Sequence, residues 1–266
     1  FDQRRPIVLA RLNAVPSRNL RIEGYIQVDQ NRSKGILARN ALPETATDRN
    51  TRMPTWNGRV AWTAAARTLI ELGNGRVDLD DRTLSAARRA GPPPHRDRVT
   101  GISSGNAVDF ADRTGYRNVT SASVRRFVGG VAGRSHELAG GFELERTNSR
   151  EVSGFPGNQS FTDAGGVPEQ VVLWEGGTVE ATGTLTTLYA QDAWTITSHV
   201  SLQSGVRLGF NRASVPDKGT VFKTNPVSPR IGLAWDVAGD HKTVVRAAYG
   251  RYHEGLHPIT FNLMNA

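Results

Sequence analysis

The sequence predicts an all-β fold, an antiparallel up-and-down meander of about ten strands. Three observations predict it. Alternation of apolar and polar residues recurs along the chain, while helical periodicity is nearly absent. The connections between alternating segments switch regularly between short and long. Several polar faces also carry charges that a closed apolar core would not accept.

The clearest alternation is "SLQSGVRLGF" at 201–210. Leu202, Val206, Leu208 and Phe210 lie on one face, and Gln203, Gly205 and Arg207 on the other. In "LRIEGYIQVD", Leu20, Ile22, Ile26 and Val28 separate from Arg21, Glu23, Gln27 and Asp29. "HELAGGFELER" sets Leu138, Phe142 and Leu144 against Glu137, Glu143 and Glu145. "RIGLAWDV" sets Ile231, Leu233 and Trp235 against Arg230 and Asp236, and "TVVRAAYGR" sets Val245, Ala247 and Tyr249 against Arg246. Weaker strands are read in "PIVLARLN", "NGRVAWTA", "RTLIELGNGRVDL", "TSASVRRFV" and "TLTTLYAQDAWTI". The best helix candidate, "TAAARTLIEL", is short and has no capping residues.

Short connections fall near 14–18, 65–67, 129–134, 197–199 and 238–242, and long ones near 31–56, 80–116, 150–183 and 213–227. Up-and-down pairing places all the short turns at one end of the sheet and all the long loops at the other. That is the pattern of an outer-membrane barrel, with short periplasmic turns and long outer loops. Strands of about ten residues suit a tilted crossing, and lipid demands a sheet closed on itself. The apolar faces then meet lipid and the charged faces a wet lumen. Trp62, Trp194 and Trp235 lie near short turns and are placed in the periplasmic aromatic girdle. A soluble β-sandwich, with the same apolar faces turned to a core, is the alternative from another class.

Composition narrows the function classes. There is no cysteine, which excludes disulfides and thiolate-ligated metal. The net charge is +8, and only Lys34, Lys218, Lys223 and Lys242 are lysine. Such a balance fits nucleic acid or an anionic surface, but arginine-rich coding in a GC-rich genome accounts for it better. The basic residues are spread along the chain and no nucleic-acid motif accompanies them. No run of apolar residues is long enough for a transmembrane helix. The chain opens at Phe1 without a signal peptide and reads as a piece of something longer.

No set of residues reads as catalytic, cofactor-binding or metal-ligating, and none is assigned to substrate. "YHEGLH" groups His253, Glu254 and His257, but Gly255 and Pro258 break the helix that such a zinc pair needs. Asp29, Asp109 and Asp112 have no fixed separation that would pair them as hydrolytic acids. Asp78, Asp80 and Asp81 lack the closing glutamate of a calcium loop and read as strand running into polar loop. "GGVAGR" has no following lysine or helix to make a phosphate loop.

The segment "LYAQDAWTITSHVSLQSGVRLGF" resembles a signature strand pair of TonB-dependent outer-membrane receptors. "NPVSPRIGLAWDVAGDHKTVVRAAYGRYHE" resembles the next hairpin of that family. "PSRNLRIEGYIQVDQ", "PTWNGRVAW" and "SHELAGGFELE" are similar to its Oar-like subfamily. The resemblance covers about residues 6–253. It implies that 1–266 is part of the barrel domain, about ten of the roughly 22 strands such receptors close. A plug, signal peptide, TonB-contacting box and final strand are not seen in it. The resemblance also implies a non-enzymatic role in TonB-dependent uptake of a scarce solute, of the siderophore or oligosaccharide class. The implied partners are outer-membrane lipid, the solute and, through an N-terminal part, TonB. No cofactor is implied. A surface or adhesion role of the Oar-like type is the alternative.

Overall fold

The structure, a computed structural model, describes residues 1–131 and 134–253. Sixteen strands are described: β1 (Asp2–Arg4), β2 (Ile7–Ser17), β3 (Leu20–Ile36), β4 (Thr47–Ala65), β5 (Thr68–Thr83), β6 (His95–Asp97), β7 (Ser103–Ser104), β8 (Phe110–Val131), β9 (Arg134–Gly154), β10 (Gln159–Ala164), β11 (Val167–Leu173), β12 (Gly177–Thr195), β13 (Val200–Val215), β14 (Gly219–Thr224), β15 (Val227–Asp236) and β16 (Val244–Gly250). The main sheet has twelve of them, in the order β1-β3-β4-β5-β8-β9-β12-β13-β15-β16, with β2 also on β3 and β14 also on β13. Pairing within it is antiparallel throughout. β1 and β2 share one row against β3, and β14 and β15 share one row against β13, leaving ten rows.

The row at β14–β15 breaks at Asn225 and Pro226, where proline cannot donate to the ladder. Among the described residues the sheet is open. β2 pairs only with β3, and β16 only with β15.

Register fixes the facing, because directly opposed residues share a side. Leu202 opposes Trp194 and Leu233, and Leu233 opposes Ala247. Val206 opposes Ala190 and Pro229, and Ile231 opposes Tyr249. The same side continues through Leu188, Phe142, Ala122, Leu72, Val60 and Ile22. Arg207, Arg230 and Arg246 lie on the other side, opposite Tyr189, Gly205 and Ala234. From Leu202 to Phe210 the apolar side runs about 26 Å along the strand, or about 20 Å along the membrane normal at a tilt of about 40°.

Among the described residues no second sheet covers this apolar side. Leu72, Leu138, Leu188, Ile231 and Leu233 are all exposed, and among the described residues the buried aliphatic side chains are Leu84, Ala107, Ala181, Ala213 and Val215. The soluble-sandwich alternative is therefore set aside. A sandwich buries this set beneath a partner sheet, whereas a lipid-facing belt leaves it bare. Trp62, Trp194 and Trp235 share the apolar side near short turns, where a girdle would place them.

The alternation of short and long connections holds, but the loops are shorter than the sequence suggests. Among the described residues the short turns are 18–19, 66–67, 196–199 and 237–243, and the long connections 37–46, 84–109, 155–176 and 216–226. Strands such as β8 and β9 run well past the apolar belt into a region where both faces are polar. "TAAARTLIEL" forms no helix: it ends β4, turns at Ala66 and Arg67, and enters β5. Ladder pairing on both sides outweighs the modest helix preference of its alanines.

Candidate functional site

Two polar surfaces stand out: the arginine-bearing side of the sheet, and a cap formed by the long loops.

The polar side carries a ladder of cross-strand ion pairs. Arg59 meets Glu71 between β4 and β5. Between β8 and β9, Arg117 Nη2 lies 2.6 Å from Glu145 Oε2, Arg113 Nε 2.7 Å from Glu151 Oε2 and Arg125 Nε 3.1 Å from Glu137 Oε1. Each pair joins residues opposed or diagonal in the ladder, the geometry that stabilises neighbouring strands. Several depressions indent this side, among them two along the ladder. One is lined by Tyr25, Arg59, Glu71, Arg117 and Ser121. The other is lined by Glu137, Tyr189, Gln191, Gln203, Arg207 and Arg230. Among the described residues the arginines of the second have no carboxylate in ion-pair contact; Arg207 bonds Thr187 Oγ1 at 3.1 Å, and Arg230 lies over the Tyr252 ring at 4.7 Å.

The cap fuses three long connections. β10 joins β11 as a hairpin and pairs in parallel with β6, which pairs with β7. This four-stranded sheet therefore unites 84–109 with 155–176. The first long loop joins it where Leu42 N donates to Ser103 O at 2.9 Å and Ser103 N to Asn40 O at 3.0 Å. Arg88 Nη2 reaches Glu44 O at 2.7 Å and Asn106 Oδ1 at 3.1 Å.

Asp97 is the hub of the cap. Its Oδ1 accepts from Val99 N at 2.8 Å and Thr100 N at 3.0 Å, and its Oδ2 from Gly166 N at 2.6 Å. Gly166, in the β10–β11 turn, has φ +83°, a conformation that favours glycine, and its N–H donates to the end of β6. Chiefly the Thr100 N–H, joined by those of Gly166, Val99 and Gly165, holds the Asp97 carboxyl below its ordinary value. Beside it, His95 Nδ1 lies 3.0 Å from Asp163 Oδ2, with its ring stacked on Phe161 at 4.7 Å. Arg98 pairs with Glu169 and lowers that carboxyl.

The residues weighed for chemistry fall elsewhere. Asp81 is held by Arg49 Nε at 2.8 Å and Thr51 Oγ1 at 2.8 Å. Asp78 pairs with Arg76 and Asp80 with Arg82, so each carboxylate of the "DLDD" run has a partner. Asp112 is bonded by Arg89 Nη2 at 2.6 Å and Thr83 N at 2.9 Å, and Asp29 by Gln27 Nε2 at 2.7 Å. His253 Nδ1 lies 2.9 Å from Ser228 Oγ, while Glu254 and His257 lie outside the described residues. The turn of "GGVAGR" likewise includes residues 132 and 133, outside the described residues. Sequence reasoning missed Asp97 and the His95–Asp163 pair. The "DRVTG" segment does carry a signal, since an aspartate before threonine and glycine favours a side-chain-capped turn.

The family model described as TonB dependent receptor-like, beta-barrel, matches residues 11–265. The chain belongs to this family. Members are outer-membrane transporters and receptors, not enzymes. The solved structures agree in fold. The alcaligin outer-membrane receptor FauA of Bordetella pertussis matches at TM-score 0.65 and 12% identity, over 93% of this chain and 35% of that one. FpvA of P. aeruginosa, in complex with a pyoverdine and iron, matches at TM-score 0.64 and 12% identity, over 92% and 35%. The RagAB peptide importer matches at TM-score 0.57 and 8% identity, over 92% and 32%. This chain thus spans about a third of the length of the receptors it matches. No curated protein matches it in sequence. The TonB-dependent receptor barrel therefore accounts for both the apolar belt and the wet, ion-paired side.

Proposed function

We propose that this chain is barrel wall in a TonB-dependent transporter that takes up a scarce solute, of the siderophore or oligosaccharide class. The observation carrying the reading is the two-sidedness of one sheet, with a bare apolar belt outside and an ion-paired arginine–carboxylate ladder inside. The open edges at β2 and β16 support completion of the barrel by strands outside 1–266, since lipid tolerates no unpaired edge. A plug and the contact with TonB belong to that remainder of the receptor. Among solute classes, an anionic metal chelate suits Arg207 and Arg230, which among the described residues have no carboxylate in ion-pair contact. FauA is an alcaligin receptor and FpvA is bound to a pyoverdine and iron, while RagAB is a peptide importer.

Uptake of radiolabelled ferric siderophores and oligosaccharides by cells with the full receptor tests this. Accumulation of one class, abolished when TonB is deleted, supports the proposal. No TonB-dependent uptake, with loss of surface attachment on deleting the receptor, would instead support the Oar-like surface role.

A further inference from the structure

Above the apolar belt, the outward side of β9, β12, β13 and β14 carries three cations in one lateral row. Arg146 opposes Thr184, Thr184 opposes Arg212, and Arg212 opposes Lys223. All three are exposed. Among the described residues none has a carboxylate in ion-pair contact. The outward carboxylate of β12 above the belt, Glu180, is occupied by Arg150 at 3.7 Å and Asn148 at 3.1 Å.

The rim is different on β5. There Arg76 pairs with Asp78 and lies 4.2 Å over the Tyr116 ring, and Arg82 pairs with Asp80. Arg76 and Arg82 are neutralised within the protein, whereas among the described residues Arg146, Arg212 and Lys223 are not.

Their height decides what they meet. Leu144, Thr186 and Phe210 form the row directly below on the same side, two residues nearer the short turns, which is about 7 Å along a strand. Arginine and lysine stems are long enough to lie along such an apolar margin and place their charges at the polar boundary. Arg212 and Lys223 are direct cross-strand neighbours, about 5 Å apart at the backbone, and Arg146 is two strands from Arg212. Two like charges side by side repel unless an anion lies between them.

We propose that Arg146, Arg212 and Lys223 form a docking site for a phosphate-bearing lipid headgroup in the leaflet on the long-loop side. The headgroup phosphate bridges Arg212 and Lys223, Arg146 takes a second anionic oxygen, and the acyl chains pack on Leu144, Phe142, Leu208 and Phe210. The site rests on the membrane placement of the belt, not on transport or on any solute.

The test uses the full receptor in detergent, titrated with lipid A, a bisphosphorylated glycolipid, and with phosphatidylcholine as the control. Bound lipid is read by native mass spectrometry. Each charge near the surface is worth about fivefold in affinity, so Arg146→Gln, Arg212→Gln and Lys223→Gln should each weaken lipid A about fivefold, and the triple variant on the order of 100-fold. Phosphatidylcholine binding should be unchanged. Arg76→Gln with Arg82→Gln, at the neutralised sector, should leave lipid A affinity intact. The proposal is overturned if the triple variant binds lipid A as well as the parent does. It is also overturned if the β5 variant loses as much, or if inorganic phosphate displaces lipid A at equal concentration. The single variants keep the test decisive if the triple variant does not fold.

Discussion

His136 Nδ1 lies 2.8 Å from Asp192 Oδ2, on the lipid-facing side of the sheet near its short turns. The His136 ring stacks on Trp194 at 5.2 Å. His136 directly opposes Trp194, and Asp192 opposes Leu138, so the pair runs diagonally across the β9–β12 ladder. Thus the aspartate of "YAQDAW" faces outward, while Tyr189 and Gln191 of the same motif face inward. An outward carboxylate beside an apolar belt needs a partner, and His136 supplies it.

This pairing predicts a non-additive mutant cycle. His136→Leu leaves Asp192 Oδ2 without its partner in a half-buried place and should destabilise the receptor by about 1–3 kcal/mol. Asp192→Leu should do the same to His136. The double variant replaces both polar groups with apolar ones and should recover most of the loss. Urea unfolding in vesicles measures all three. Strictly additive losses would show that the contact contributes nothing.

The assignment of sides makes a second prediction. Val206 faces lipid at mid-belt, and Gln203 faces the lumen. Val206→Arg should cost about 2–4 kcal/mol of folding stability in a bilayer, and Gln203→Arg close to nothing. Equal costs for the two would sink the membrane-facing assignment.

The belt was legible in the sequence because lipid and water demand opposite residues on alternate positions. Leu202 and Arg207 read correctly for that reason. The upper halves of β8 and β9 did not, since Thr114, Asn148 and Ser149 stand where both faces are wet and no contrast remains. The cap was illegible for a further reason. β6 and β10 are three and six residues long, and their parallel pairing of His95 with Phe161 joins distant parts of the chain. Alternation within a segment carries no information about such a pairing. The ion-pair ladder was half legible: the inward glutamates of β9 were evident, but which arginine meets each depends on register, and register lies in the partner strand.

Gly141 offers a test of that register. It opposes Tyr189 on the inner side. A methyl group there would stand 2.4 Å from Ala122 O and 2.9 Å from Tyr189 Oη. The tyrosine ring can swing away, but the carbonyl belongs to the β8 backbone. Gly141→Val should therefore destabilise the barrel by about 1–3 kcal/mol. Gly58 has open space at the same point, so Gly58→Ala should be nearly neutral by the same measurement.

The cap should respond to acid through Asp97. Its carboxyl lies below the ordinary range, chiefly because the Thr100 N–H donates to the ionised form, with help from Gly166 and Val99. A group whose folded value is depressed contributes its full stability above the unfolded value, near pH 4 for aspartate. That contribution is lost as pH falls through the folded value. Glu169, lowered by Arg98, acts in the same direction and the same window. The loops at 84–109 and 155–176 should therefore hold together from neutral pH down to about pH 4 and separate only in stronger acid. Asp97→Ala removes the acceptor for three backbone N–H groups, so its loops should already be loosened at neutral pH. Amide hydrogen exchange at Val99, Thr100 and Gly166 reads both effects. Protection of those amides should fall below about pH 4 beyond the intrinsic change in exchange rate, and should be low at every pH in the variant. If the three amides stay equally protected in parent and variant at neutral pH, Asp97 does not hold the cap.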